Sequence, residues 1–226
     1  MKSFTLIFVL IFITSPYASS IVISNILKRD NVEFSDECMQ EYSNSECNSE
    51  CWPTITISNY KQACSNIKIE KCQNFFKEPL KYYPICSKEP QFTEIFQPAV
   101  FNDLIQDLYS QCLTDEKDNL CPYSLYVITQ SGEKDALTDT CKSKKCTESL
   151  LNLLKDVNID TFGAYENLSF NTRSYSYDDL NVVIKIVSKL ESDECTASHA
   201  TSDVITTKIN QFLLISLSFL LLFVFY

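Results

Sequence analysis

Apolar and polar positions recur along this chain with the period of helices, and the clearest run begins at Phe101. Phe101, Leu104, Ile105, Leu108, Tyr109 and Cys112 fall at i, i+3, i+4, i+7, i+8 and i+11, one face of an α-helix. Asn102, Asp103, Gln106, Asp107, Ser110 and Gln111 take the remaining positions and predict a solvated opposite face. Pro98 suits the first turn, where its missing N–H costs nothing. The helix is therefore expected over 98–112, with Cys112 facing the core. A second helix is predicted over 177–190, with Leu180, Val183, Ile184, Val187 and Leu190 along one side. Ser176 with Asp179 resembles a capping box, and Lys185 and Lys189 lie toward the carbonyl end. Its β-branched run Val182-Val183-Ile184 leaves a strand as the alternative. A third helix is expected over 147–157, capped by Thr147, with Leu150, Leu151, Leu154 and Val157 inward. Shorter helices around 36–46, 59–66 and 69–77 would carry the early cysteines. Periodicity stops near 190, and 191–211, rich in Ser, Thr, Asp and Glu, reads as a polar stalk and spacer.

Two hydrophobic segments bracket this pattern. Phe4 to Ile13 follow a basic start at Lys2 and precede Ala18-Ser19-Ser20, which predicts a secretory signal peptide over 1–20. Residues 21–29 end in Lys28-Arg29, a dibasic site whose cleavage would leave Asp30 as the new terminus and make 21–29 a propeptide. Phe212 to Tyr226 form an apolar tail of 15 residues, under the ~20 that a spanning helix needs. Ala200-Thr201-Ser202, a polar spacer and this tail match the order of a GPI attachment signal. Ala200 is the expected lipid attachment residue, with Ser198 and Ser202 as alternatives, and the GPI lipid would make the membrane a partner.

The cysteines set the fold class. All 11 lie in the stretch between these ends: Cys38, Cys47, Cys51, Cys64, Cys72, Cys86, Cys112, Cys121, Cys141, Cys146 and Cys195. In a secreted chain such density is a disulfide framework. An odd number leaves one thiol after five bridges, and roughly ten thousand pairings remain open by the counting rule. Only two glycines occur, Gly132 and Gly163, whereas small β-rich scaffolds spend glycine freely in tight turns. The expectation is a mainly α, disulfide-stapled small helical domain over 30–190, with two cysteine-rich helical modules as the alternative. Cys38-Met39…Cys47 and Cys112-Leu113…Cys121 share the spacing C-[ML]-x7-C and suggest an internal repeat. In that register Cys64 and Cys72 match Cys141 and Cys146, while Cys86 and Cys195 close the halves. Cys51 is left without a counterpart, which makes it one candidate for the free thiol.

Charge and chemistry narrow the function. All but one of the 29 acidic residues fall between Asp30 and Ser202, but only 15 of the 19 basic ones. Nucleic acid is excluded as a partner class, because phosphate neutralisation needs clustered Lys and Arg. Lys142, Lys144 and Lys145 read as a solvated face. Zinc prefers repeated short pairs of cysteines with histidine, and C-x3-C at 47/51 and C-x4-C at 141/146 have no histidine nearby. No metal or cofactor is expected. The single histidine, His199, sits in the stalk, so histidine-based triads are not assembled from this chain. Trp52, between Cys51 and Pro53, reads as a residue packed on a disulfide, with a sugar platform as its alternative. The segment 162–177 carries Phe162, Tyr165, Phe170, Tyr175 and Tyr177 among polar residues, and offers either core rings or a contact surface. The sequon Asn167-Leu168-Ser169 lies within it and predicts an exposed, N-glycosylated loop.

The signal peptide, dibasic site, acidic cysteine-rich body and GPI-type tail together resemble small cell-surface proteins of fungi. The stretch Cys112-Leu113-Thr114-Asp115 through Cys121-Pro122-Tyr123-Ser124 is similar to a Cys-to-Cys-Pro segment of such secreted proteins. Fungal extracellular haem-binding domains also carry C-x3-C, matched by Cys47 and Cys51. Their eight-cysteine order is broken after Cys51, so haem binding is not carried over on that resemblance. The expected function is a non-catalytic GPI-anchored protein with a structural or adhesive role in a cell wall or coat. Its expected partners are cell-wall polysaccharide or surface proteins. The alternative is a surface module that binds a small apolar ligand, such as a lipid or haem.

Overall fold

A computed structural model describes residues 34–131, 133–155, 157–169 and 177–199. The signal peptide, the 21–29 segment with its dibasic site, Ala200, Ser202 and the apolar tail lie outside the described residues. So do Gly132, Phe170, Tyr175 and the capping residue Ser176.

The chain is mainly helical, as the scarcity of glycine predicts, and no strand occurs among the described residues. An isolated antiparallel bridge joins Thr114 to Leu120. In chain order the helices are α1 (Asp36–Asn44), α2 (Glu46–Glu50), α3 (Tyr60–Asn66), α4 (Glu70–Lys77), α5 (Pro90–Ile95) and α6 (Pro98–Ser110). They continue as α7 (Pro122–Thr129), α8 (Glu133–Thr140), α9 (Lys144–Leu154), α10 (Ile159–Glu166) and α11 (Tyr177–Leu190). Short 3-10 turns at Pro79–Tyr82 and Cys86–Lys88 join α4 to α5. Residues 193–199 form one further helical stretch.

Local chemistry explains the boundaries. Proline occupies the first turn of α5, α6 and α7, where no N–H is needed. The Ser35 hydroxyl accepts the Cys38 N–H at the start of α1, and Ser143 does the same for Cys146 at the start of α9. The cap of α9 thus lies four residues before the predicted Thr147. Thr147 lies inside the helix, buried, with its hydroxyl near the carbonyls of Thr140 and Ser143. α7 ends on Gln130, a left-handed residue at φ 57° whose N–H reaches the Tyr126 carbonyl.

Two hydrophobic cores result. The first is built from residues 34–112, joined by Leu168 and by α10 side chains, and is dominated by aromatic rings. The second gathers Tyr123, Tyr126, Val127, Ala136, Cys141, Leu150, Leu190 and Cys195. A turn over 113–120 links the two modules. Its Glu116 carboxylate accepts the Ser143 hydroxyl and the Lys145 N–H, 2.8 and 2.9 Å away, which pins the linker to the start of α9.

α6 sits between the cores. Phe101, Leu104, Leu108 and Cys112 are buried, as the stripe requires. The opposite face is not solvated as expected. Ser110 and Gln111 are buried, and α7, α9 and α10 all pack against α6. α11 follows the predicted span, without the alternative strand, but Ile184 is 54 % exposed while Val183 and Leu190 are buried.

Candidate functional site

The cysteine framework positions every candidate surface. Cys38 pairs with Cys86, Cys51 with Cys72, and Cys64 with Cys112; the second module holds Cys121–Cys146 and Cys141–Cys195. The free thiol is Cys47 and not Cys51. Cys47 is buried on α2, and burial holds its thiol above the ordinary value, with the Lys71 ammonium acting the other way. A buried, protonated thiol is a poor nucleophile. Beside it Lys71 bridges Glu46 and Glu50, each at 2.8 Å.

The repeat exists in the disulfides, in a register the spacing did not show. Cys51–Cys72 interleaves with Cys64–Cys112, and Cys121–Cys146 interleaves with Cys141–Cys195. In both sets the third cysteine stands at the third position of a helix, Cys72 in α4 and Cys146 in α9. Cys51 therefore corresponds to Cys121, and Cys112 to Cys195. Cys112 closes the first module where the C-[ML]-x7-C spacing had it opening the second. Cys38–Cys86 and Cys47 are additions to the first module.

The proposed stalk does not begin at 191. Residues 193–199 are helical, Cys195 is buried in the second core, and the His199 Nε2 lies 3.1 Å from the Thr147 hydroxyl. His199 thus docks the end of this helix onto α9. Ser198 lies in the same helix and donates to the Glu194 carbonyl at 2.9 Å.

The aromatic segment resolves in favour of packing where it is described. α10 takes up the start of the segment, the sequon follows it in turns, and Asn158 caps the helix by accepting the N–H groups of Asp160 and Thr161. Phe162 is buried, and the Tyr165 hydroxyl donates to Asp103 at 2.9 Å. Asn167 is exposed at the C-cap of α10, while Leu168 plugs the first core. Trp52 is buried too, stacked on Phe101 at 5.7 Å.

Two features escaped the pattern. One is an open groove of about 660 Å³ on the second module. Leu154, Val157, Val183, Ile184 and Val187 supply the apolar half of its lining, and polar and charged residues supply the rest. The exposed position of Ile184 on an otherwise inward stripe was its signal. The other is Asp103 and Asp107, one turn apart on the covered face of α6. Burial raises both carboxyls; for Asp107, burial first and Asp103 second bring the value to about 8, against a Gln111 hydrogen bond. The Asp107 Oδ2 is buried without a hydrogen-bond partner among the described residues.

No cluster of three or more metal-binding side chains forms among the described residues. No helix there is long and apolar enough to cross a membrane. The described residues form a two-module, disulfide-stapled helical protein of the kind that oxidising compartments produce. Comparison with known protein families, with curated proteins and with solved structures finds no match to it.

Proposed function

We propose that this chain is a non-catalytic cell-surface protein with a structural or adhesive role, held at the outer membrane face or in a wall by a GPI lipid. The observation that carries the reading is Cys141–Cys195. It ties the last described helix to the second core, so any tether beginning after His199 meets a braced body instead of a loose strand. Cleavage enzymes act on chain that is not tied down. Ser198 is hydrogen-bonded within a helix, which favours Ala200 or Ser202 as the attachment residue. A glycan on Asn167 would project from the α10 end, where the side chain is exposed. The test is treatment of intact cells with phosphatidylinositol-specific phospholipase. Release alongside a known GPI-linked protein is the expected result. Retention, while that control is released, would make the tail a permanent anchor and overturn the lipid.

A second reading is favoured by the groove beside α11. Its volume falls within the range of small-ligand sites, and half of its lining residues are aliphatic. Binding of a lipid or haem there would make the protein a surface carrier. Titration with a fluorescent fatty acid, and separately with haemin, distinguishes the readings. Saturable binding that Ile184→Glu abolishes supports the carrier, and no saturable binding of either probe leaves the structural role.

A further inference from the structure

The polar face of α6 holds a device that the surface role does not use. Asp103 and Asp107 stand at i and i+4, so their side chains lie on one side of the helix. Both residues are half-buried, with Asp107 Oδ2 itself cut off from solvent, and each is answered differently. Tyr165, from α10, donates its hydroxyl to Asp103 Oδ2. Asp107 Oδ2 receives no such bond among the described residues. α7 approaches the same place with Tyr123, whose hydroxyl is held above the usual phenol range by burial, then by Asp107 and Tyr126.

No cation from the packed helices compensates the pair among the described residues. α7 brings Tyr123 and Tyr126 as its titratable groups, and α10 brings Tyr165, while Asp160 and Glu166 are exposed. On α9, Lys145 is taken by Thr114, the Asp115 carbonyl and Asp118, and Lys144 pairs with Glu148 at the surface. Tyr109 of α6 itself accepts from Gln73 on the far side. Two carboxylates one turn apart, one of them with an oxygen shut off from water, ionise together only at a cost when no cation compensates them.

We propose that this pair is a proton-operated clasp between the two modules, closed while Asp107 carries a proton and loosened when the proton leaves. A neutral carboxylic acid tolerates the joint between α6, α7 and α10, whereas a second buried negative charge beside Asp103 pushes it open. The direction follows from linkage. The folded value of Asp107, about 8, lies above its ordinary 3.8. The contribution is therefore full below about pH 3.8 and is lost as pH rises through about 8. Within that window each pH unit weakens the closed joint by up to about tenfold. Acid surroundings brace the module that carries the C-terminal helix, and alkaline ones free it.

Trp52 reports on the first module alone, whereas tyrosines lie in both, so a tyrosine step is assigned to the joint by its loss in Asp107→Asn. The single tryptophan, Trp52, is buried in the first core, and Tyr123 sits at the joint. The oxidised, natively secreted protein is titrated from about pH 5 to 9.5, with near-ultraviolet circular dichroism for tyrosine and fluorescence for Trp52. The expected result is a tyrosine step centred near pH 8 with Trp52 emission unchanged, and a melting temperature that falls by several degrees over the same range. Asp107→Asn should abolish the step and melt above the wild type at pH 9. Tyr165→Phe removes the donor to Asp103 and should move the step upward in pH. Absence of a wild-type tyrosine step, or an Asp107→Asn variant with the wild-type pH slope, overturns the clasp. If Asp107→Asn fails to fold, the wild-type titration and the Tyr165→Phe shift decide the matter between them.

Discussion

In the first module ring meets ring: Trp52 on Phe101, Phe101 on Phe75 and Phe96, and Tyr83 on Phe75, Phe92 and Phe96, at centroid separations of 5.0–6.1 Å. The second module pairs Tyr123 with Tyr126, and its core is completed by Leu150, Leu190 and the Cys141–Cys195 bridge. Both modules carry the same interleaved pair of bridges. The difference shows what such bridges are for. Aromatic rings bury a large area each and stabilise a core outright, so the first module has packing in reserve. The second has little apolar interior and leaves Ile184 exposed over its groove. It depends more on covalent closure, and on borrowing α6 as a wall.

The largest effect should come from cutting the second module's bridges. Replacing Cys141 and Cys195 with serine should cost about 2–5 kcal/mol, as loss of a native bridge from a small domain does. Helical signal from the second module should then melt first, while Trp52 emission in the first module keeps a separate, later transition. A single coincident transition would show that the modules do not differ in self-sufficiency. Next come the cores. Phe101→Ala should cost about 3–5 kcal/mol and lower the Trp52 transition, since it removes the ring stacked on the indole. Leu104→Ala or Leu108→Ala, on the same buried stripe, should cost about 2–5 kcal/mol and reduce surface display. Gln106→Ala on α6 should change stability by no more than about 0.5 kcal/mol and leave display intact. Asp107→Ala belongs with the buried positions despite its place on the predicted polar face. Its removal should change the pH dependence of melting, and an effect as small as that of Gln106→Ala at every pH would mean the modules do not bury it.

The smallest effect tests the strap. α10 follows the second module's α9 in sequence but packs on α6 and the first core. Gly163 lies inside it, and a Cβ there would meet nothing within 4 Å. Gly163→Ala should therefore stabilise by about 0.5–1 kcal/mol, because glycine loses the most backbone freedom in a helix. A loss of stability would show that the strap needs glycine for a reason other than space.

The helices that the pattern predicts are those whose apolar residues form one stripe, α6 and α11 above all, because that stripe leaves a 3.6-residue period in the sequence even where, as in α6, polar residues on the other side are covered too. α7 carries no such mark. Tyr123, Ser124, Tyr126 and Val127 are all buried, and a helix covered on several sides has no polar face to reveal its period. α10 was hidden by Gly163 and its β-favouring aromatic residues, and its Asn158 cap was the available sign. Composition by itself determined that the protein is helical and held by disulfides, since two glycines cannot supply a β scaffold's turns and eleven cysteines cannot all stay free in an oxidising compartment. Only the tertiary structure decided that Cys47 is the thiol left over, that Cys112 closes the first module, and that one carboxyl oxygen of Asp107 is shut off from water. Each depends on which surfaces meet across long stretches of chain. Spacing along a sequence records the face a residue shares with its own helix, and not the helix that comes to cover it.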